Sequence, residues 1–202
     1  DICWIAYDTP VDEFDKADDL FVVQRIIELS KYLKEGAILL ISSQLPLGSC
    51  AKLKNSIGRS DIQICVSPEN LRLGSAIDAF NNQHRIIVGC DSNEPIKKLD
   101  ALLSAFCEKI IWMSPASAEM TKHSINAFLG MSIAFTNELA SIAEKYDANF
   151  SDVEKALRSE PRIGRQAYVR PGEPFAGGTL ARDLKYLAKL AEDVNVGENL
   201  IS

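Results

Sequence analysis

The sequence predicts an α/β fold, with a mostly parallel sheet in the first half and an all-α domain built on a long helix in the second. In the first half, short apolar runs rich in Ile and Val alternate with longer stretches of helical periodicity, up to about residue 113. Beyond that point a single uninterrupted helical pattern dominates. Because parallel strands need crossover connections, the alternation of strands and helices favours a parallel sheet.

Five runs are too short for helices and are predicted to be strands. They are Ile2–Tyr7, Ala37–Ile41, Ile62–Val66, Arg85–Gly89 and Lys109–Met113. Between them, Ala17–Lys34 and Ile96–Cys107 carry apolar residues at helical spacing and are predicted to be helices.

The second half begins with a helical pattern over Ala116–Tyr146 that no proline interrupts. A helix of about 30 residues is roughly 45 Å long, which exceeds what one small domain covers. We therefore expect this helix to carry a core or a subunit contact. The change of pattern places a domain boundary near Ser114–Pro115, between residues 1–113 and 114–202.

Three further elements are predicted after the long helix. Ser151-Asp152-Val153-Glu154 has the pattern of a capping box that opens a helix. A loop rich in Gly and Pro follows over Arg162–Gly178, and a last helix runs from about Leu180 to Asp193.

The charge of the chain excludes some classes of partner. The 202 residues carry 22 Lys and Arg against 28 Asp and Glu, for a formal net charge of −6. Binding to a phosphate backbone needs clustered cations, so nucleic acid is not expected as a partner. No apolar run approaches the roughly 20 residues that span a bilayer. The composition predicts a soluble, cytoplasmic chain with no membrane partner.

The cysteines and histidines favour neither a disulfide framework nor a metal site. The five cysteines are odd in number, lie far apart and include no CxxC, so we expect reduced and mostly buried thiols. His84 and His123 are the only histidines, and they make no metal cluster with carboxylates at ligand spacing. We expect His123 to be a surface or interface residue. The chain opens on a strand at Asp1, which suggests a piece of a longer protein.

Polar loops follow the first three predicted strands. They are Thr9-Pro10, the segment from Ser42 to Ser49, and Ser67-Pro68-Glu69. Ligands of open α/β sheets bind at the carboxyl ends of the strands, so a ligand crevice is predicted here, although Thr9-Pro10 is equally consistent with a simple turn. The 11 glycines form no GxGxxG loop. If the sheet binds a dinucleotide, the pyrophosphate loop is expected upstream of Asp1.

Two pairs of residues in the second half are candidates for a role in catalysis. Lys122 and Asn126 are four apart and project from one helix face. An ammonium beside an amide can polarise a carbonyl or stabilise an alkoxide, but a solvated surface pair has the same spacing. Thr179 follows paired glycines, and Asp183 lies one turn further on. Thr179 is either a helix N-cap or a catalytic hydroxyl, and spacing leaves both open.

Several motifs in order resemble the UDP-glucose/GDP-mannose dehydrogenase family. In the first half they are Thr9-Pro10, Leu45-Pro46-Leu47-Gly48, Ser67-Pro68-Glu69 and Val88-Gly89-Cys90-Asp91-Ser92. In the second half they are the segments 117–122, 126–129, Asn137-Glu138, Pro161–Gly164 and Gly177–Asp183. The resemblance covers nearly the whole chain.

The resemblance implies a fold, a cofactor and partners. Residues 1–113 would be the latter part of a Rossmann-like NAD-binding domain, and residues 114–202 a central helical domain that forms a homodimer through helix 116–146. The substrate would be a nucleotide sugar, oxidised from alcohol to acid with two NAD in polysaccharide biosynthesis. The glycine loop and a carboxyl-terminal nucleotide-binding domain would lie outside this chain. We therefore expect the chain alone to bind NAD weakly and to be inactive.

The resemblance also implies roles for individual residues. Lys122 and Asn126 match the pair that stabilises the oxygen of the reacting carbon, Asp183 matches an aspartate near the nucleophile, and Glu69 matches a carboxylate assigned to water activation or proton transfer. The residues implied to bind the cofactor are Thr9, Ser43 and Glu69. Those implied to bind the substrate are Leu71, Arg162, Tyr168 and Gly177, and the arginine reaches the sugar nucleotide of the neighbouring subunit.

Two positions depart from the family pattern. Thr179 stands where the family has its nucleophilic Cys, and Leu73 stands where it has a glutamate. A thiolate captures the aldehyde and then gives a thioester, whereas a threonine hydroxyl ionises at far higher pH, which puts the second oxidation in doubt. One alternative is a non-catalytic or altered-reaction relative that acts as a dimeric binding module. Another is a hydroxy-acid dehydrogenase, which would not need the loop Pro161–Asp183.

Overall fold

The computed structural model describes residues 1–10, 18–69, 71, 74–172 and 178–197, without the side chains of residues 178, 179 and 182. The chain divides into two compact units, residues 1–122 and residues 123–202. Among the described helices, none is long and apolar enough to cross a membrane.

The first unit contains a five-stranded sheet in the order β1-β2-β3-β4-β5. The strands are β1 (Ile2–Ile5), β2 (Ile38–Ile41), β3 (Gln63–Val66), β4 (Ile86–Cys90) and β5 (Ile110–Met113). β1, β2 and β3 pair in parallel, and so do β4 and β5, but β3 and β4 are antiparallel. The predicted α/β class with a mostly parallel sheet is confirmed.

Helices connect the strands and continue beyond the sheet. They are α1 (Asp19–Ser30), α2 (Ser49–Ile57), α3 (Ala76–Asn81), α4 (Ile96–Leu103), α5 (Pro115–Lys145), α6 (Phe150–Ser159) and α7 (Gly178–Asp193). The long helix is confirmed as α5, which has 31 residues. The predicted capping box is wrong in detail, because the Asn149 side chain, not Ser151, caps α6 by accepting from the Ser151 N–H.

The sheet is buried on both faces, and alternate residues of β2 show why. Leu39 and Ile41 pack into one aliphatic cluster with residues of α1 and α2. Ile38 and Leu40 pack into a second cluster, which includes residues of α4. Since side chains alternate across a strand, helices cover both faces, as parallel strands require.

The start of α5 lies against the sheet at Gly89. A Cβ atom on Gly89 would lie 2.7 Å from the Pro115 Cα, and 2.9 Å from both the Ala118 Cβ and the Val66 Cγ1. Only glycine permits this approach. Gly89 therefore allows the first turns of α5 to pack directly on β3 and β4.

Candidate active site

Buried hydroxyl groups join the carboxyl ends of β1 and β2. The Thr9 hydroxyl donates to the Gln44 carbonyl at 2.8 Å, and the Ser43 hydroxyl donates to the Tyr7 carbonyl at 2.7 Å. The indole N–H of Trp4 donates to the Ser42 hydroxyl at 2.8 Å. Because β1 and β2 are parallel, their loops share one edge of the sheet, which is where ligands of such sheets bind.

The loop after β3 is hydrogen-bonded to Lys122 on α5. Lys122 is only 9% exposed, and its ammonium donates to the backbone carbonyl of Glu69 at 2.6 Å. The Glu69 carboxylate accepts from the Leu71 N–H, and Leu71 itself is exposed. Lys122 is thus held by the backbone of the β3 loop, and the solvated surface alternative for this residue is wrong.

Glu119, one turn before Lys122 on α5, fixes the start of α2. Its buried carboxylate accepts from the Gly48 N–H at 2.6 Å and from the Cys50 N–H at 2.8 Å. The first N–H groups of a helix lack intrahelical acceptors and favour negative charge. Glu119 supplies both an acceptor and the charge, and it thereby ties α2 to α5 across 71 residues of sequence.

In the second unit, Asp183 is bound by two side chains from α5. Asp183 is 1% exposed, and its Oδ2 accepts from the Asn126 amide at 2.6 Å. Its Oδ1 lies 3.2 Å from the Nδ1 of His123. A buried carboxylate needs such donors to offset the loss of water. Asn126 is only 7% exposed, so it too is not a solvated surface residue.

The structure corrects the expectation for His123. This residue is 4% exposed, and its ring centroid lies 4.8 Å from that of Tyr186. Sequence reasoning missed it because its partner Asp183 lies 60 residues away. The only sequence signal is its position next to Lys122 on the helix that carries the motif residues.

The residues implied to bind the substrate differ in exposure. Arg162 is exposed and donates to the Glu160 carboxylate at 2.7 Å, which raises the pKa of Arg162 and lowers that of Glu160. Tyr168 is 40% exposed, and its carbonyl accepts from the Thr136 hydroxyl at 3.4 Å. Gly177, Leu73 and the side chain of Thr179 lie outside the described residues.

A largely parallel sheet with helices on both faces and polar loops at its carboxyl edge is the arrangement of dinucleotide-binding α/β proteins. Residues 1–107 match the model of the UDP-glucose/GDP-mannose dehydrogenase family, NAD binding domain, and residues 116–202 match that of the family's central domain. The chain belongs to the UDP-glucose/GDP-mannose dehydrogenase family.

Similar proteins include UDP-glucose 6-dehydrogenases. The chain is 31% identical to UDP-glucose 6-dehydrogenase TuaD of Bacillus subtilis over 207 residues, which cover 100% of this chain and 44% of the relative. It is 29% identical to the enzyme of Rickettsia typhi, over 97% of this chain and 46% of the relative. A solved UDP-glucose dehydrogenase from Pyrobaculum islandicum matches with a TM-score of 0.84 and 25% identity, over 96% of this chain and 47% of that one. The chain therefore spans under half the length of these relatives.

The family implies NAD, and the residues at the sheet edge fit part of a dinucleotide. The hydroxyls of Thr9 and Ser43 donate hydrogen bonds to backbone carbonyls. Their oxygen lone pairs can therefore accept a hydrogen bond from a ribose hydroxyl. The start of α2 does not fit a pyrophosphate, because its N–H groups at Gly48 and Cys50 are bound to Glu119. Thr9 and Ser43 thus suit a ribose of the cofactor, whereas the start of α2 does not suit its phosphates.

Proposed function

We propose that the whole protein oxidises a nucleotide sugar of the UDP-glucose or GDP-mannose type with NAD, from alcohol towards acid. The observation that carries this proposal is the buried hydrogen bond between Asn126 and Asp183, at 2.6 Å. Both residues match functional positions of the family, and a buried carboxylate is costly to keep for stability alone. We propose that residues 1–113 serve the cofactor and that residues 114–202 serve the substrate and the dimer.

In this proposal Lys122 and Asn126 stabilise the oxygen of the reacting carbon. When bound, NAD supplies the acceptor for the hydride. As the hydroxyl loses its proton, its oxygen gains negative charge, and an ammonium and an amide N–H favour that charge. Burial of Lys122 strengthens the effect because less water screens its charge.

The proton of the hydroxyl passes through a water molecule to a carboxylate. Asp183 is the proposed acceptor, because Asn126 and His123 orient both of its oxygens. Glu69 is the proposed second carboxylate, for water activation in the step from aldehyde to acid. General base catalysis of this kind contributes typically about 10²–10⁴-fold in rate.

Thr179 determines how far the proposed oxidation proceeds. A thiolate attacks an aldehyde readily and leaves a hydrolysable thioester, whereas an alcohol is a far weaker nucleophile near neutral pH. We propose that the first oxidation proceeds and that Thr179 prevents the second. The same Thr179, together with Leu73, favours a second candidate function, in which the protein is a non-catalytic, dimeric binding module.

The stoichiometry of NADH separates these possibilities. The whole protein is incubated with limiting UDP-glucose or GDP-mannose and excess NAD, and NADH is measured at completion. We expect one NADH per sugar, and two for Thr179→Cys, because the thiol restores the covalent step. Two NADH from the unmodified protein would contradict the role of Thr179. No NADH from either protein would contradict the oxidation and leave the binding module.

Lys122 provides a matched test of the oxygen-stabilising role. Lys122→Ala should lower kcat by about 10²–10³-fold, the usual cost of removing a donor to a developing oxyanion. Lys145→Ala removes an exposed lysine from the same helix and should leave kcat unchanged. If the two variants are equally active, Lys122 does not take part in the reaction.

The dimer is proposed from an apolar surface on α5, which we name the α5 stripe: Phe128, Phe135 and Ile142. These residues are 71%, 57% and 55% exposed and recur every seven positions. Apolar residues at this spacing form the seam between packed helices, and large exposed apolar patches mark interaction sites. A second copy of the same chain is the proposed occupant of the stripe.

Sedimentation velocity tests the dimer. Phe128→Asp and Phe135→Asp should convert a dimer to a monomer, because each buries a charge in the seam. Ser141→Asp adds a charge to an exposed position of the same helix and serves as the control. Dimers that persist in both Phe variants would show that subunits associate elsewhere.

A further inference from the structure

Two cysteines face each other across the antiparallel junction of the sheet. Cys65 on β3 pairs directly with Cys90 on β4, and their sulfur atoms lie 3.1 Å apart. Both side chains pack with the same aliphatic cluster, so they project from one face. All five cysteines are free thiols in this structure.

The backbone at this pair suits a disulfide. Residues directly opposite on antiparallel strands have Cα atoms about 4.5–5.5 Å apart, which falls within the about 4.4–6.8 Å that a disulfide needs. The sulfur atoms therefore need to approach by only about 1 Å to reach the bonded distance of about 2.05 Å.

The two thiols differ in reactivity. Cys65 is 1% exposed, whereas Cys90 is only half-buried. The hydrogen bond between the two thiols lowers the pKa of Cys90, and the same bond together with burial raises the pKa of Cys65. The thiolate is the reactive form. Cys90 thus has the properties of an attacking thiol and Cys65 those of the thiol that resolves the product.

We propose that Cys65 and Cys90 form an oxidation site at which a peroxide converts the two thiols into a reversible disulfide between β3 and β4. The Cys90 sulfur attacks the peroxide, so an S–O bond forms, the O–O bond breaks, and hydroxide leaves and is protonated to water. The Cys65 sulfur then attacks the Cys90 sulfenic acid. The S–S bond forms, the S–O bond breaks, and the departing hydroxide takes the Cys65 proton as a second water.

The disulfide would strengthen the shortest strand pairing of the sheet. β3 and β4 share two paired residues, whereas β1 with β2, β2 with β3, and β4 with β5 share four each. The bond would also close the segment 65–90, which contains the Ser67-Pro68-Glu69 loop. Oxidation would therefore fix the strand that leads into that loop.

Peptide mapping of the whole protein after exposure to hydrogen peroxide tests the site. Remaining thiols are blocked with iodoacetamide in denaturant before digestion with trypsin. We expect peptide 60–72 to be joined to peptide 86–97, a loss of two of the five thiols in residues 1–202, and full recovery with dithiothreitol. Sulfinic acid at Cys90 with a free thiol at Cys65, or a disulfide between other cysteines, would overturn the proposal.

Single substitutions complete the test. Cys65→Ser should abolish the joined peptide and let Cys90 proceed to sulfinic acid, since no thiol resolves its sulfenic acid. Cys3→Ser is the control, because Cys3 is a half-buried cysteine of the same sheet that pairs with Leu39 instead of a cysteine. Loss of the joined peptide in Cys3→Ser would also overturn the proposal. The map of the unmodified protein decides the matter if Cys65→Ser does not fold.

Discussion

The two compact units bury different kinds of side chain. In residues 1–122, the buried apolar residues, mostly aliphatic ones of the sheet and its helices, far outnumber the buried polar ones among those described. In residues 123–202, the buried apolar residues among those described are Ala127, Ala143, Val169 and Leu187, and the buried polar residues are His123, Asn126, Thr136 and Asp183. The first unit thus has an ordinary apolar core, while hydrogen-bonded side chains occupy much of the interior of the second.

Several large apolar residues of the second unit are on its surface. The α5 stripe is the main example, and Tyr146 is 81% exposed. A unit that buries polar groups and exposes apolar ones gains little free energy when it folds by itself. We therefore expect substitutions in the aliphatic core of the first unit to act mainly on stability, and those in the polar centre of the second mainly on activity.

Asp183→Asn should have the largest effect, a loss of activity with little loss of stability. The amide keeps the shape of the carboxylate and still accepts from Asn126, but it is no longer a base. We expect kcat to fall by about 10²–10⁴-fold with little change in Tm. Asp193→Asn, at the exposed end of the same helix, is the control in both assays. A large fall in Tm with normal kcat would show that Asp183 serves stability and not activity.

Gly89→Ala should show the opposite behaviour in the first unit. The added methyl meets the Pro115 Cα at 2.7 Å, and backbone cannot rotate away as a side chain can. We expect the free energy of unfolding to fall by about 3 kcal/mol in urea titrations. Gly172→Ala adds a methyl in open space and should change it by less than about 0.5 kcal/mol. Equal effects would show that α5 does not depend on Gly89.

The same contrast explains which parts of the fold could be predicted from sequence. The strands were predictable because the sheet is buried on both faces, which makes β2 continuously apolar. α2 was missed: it follows Gly48, whose φ is +84°, and its cap comes from distant Glu119 instead of a local side chain. The antiparallel direction of β4 has no local signature either, since strand direction depends on the path of the connection.

The site was predictable only one residue at a time. The motifs made Lys122, Asn126 and Asp183 candidates, but they gave no sign that His123, which contacts Asp183, is buried. Hydrogen bonds between residues 57 and 60 positions apart leave no periodic trace in a sequence. Such pairings depend on how α7 folds back onto α5 within the second unit.

Glu119→Ala should have a moderate effect, again on stability, because it removes the acceptor for two N–H groups of α2. Leaving buried donors without a partner costs about 1–3 kcal/mol, and the negative charge at the helix start is lost as well. We expect a loss of about 2 kcal/mol in the free energy of unfolding. Glu144→Ala, which removes an exposed glutamate from the same helix, should be neutral. Equal stability of the two variants would exclude Glu119 as the link between α2 and α5.

His123 offers the smallest effect and the finest test of the polar centre. His123→Leu keeps an apolar contact with Tyr186 but removes the donor to Asp183, so stability should fall by about 1 kcal/mol, the net value of one hydrogen bond. His123→Asn places an amide nitrogen near the position of Nδ1 and should recover most of the loss. If Leu and Asn variants unfold at the same urea concentration, the His123 ring contributes by packing alone. The second unit would then be less dependent on side-chain hydrogen bonds than its buried residues indicate.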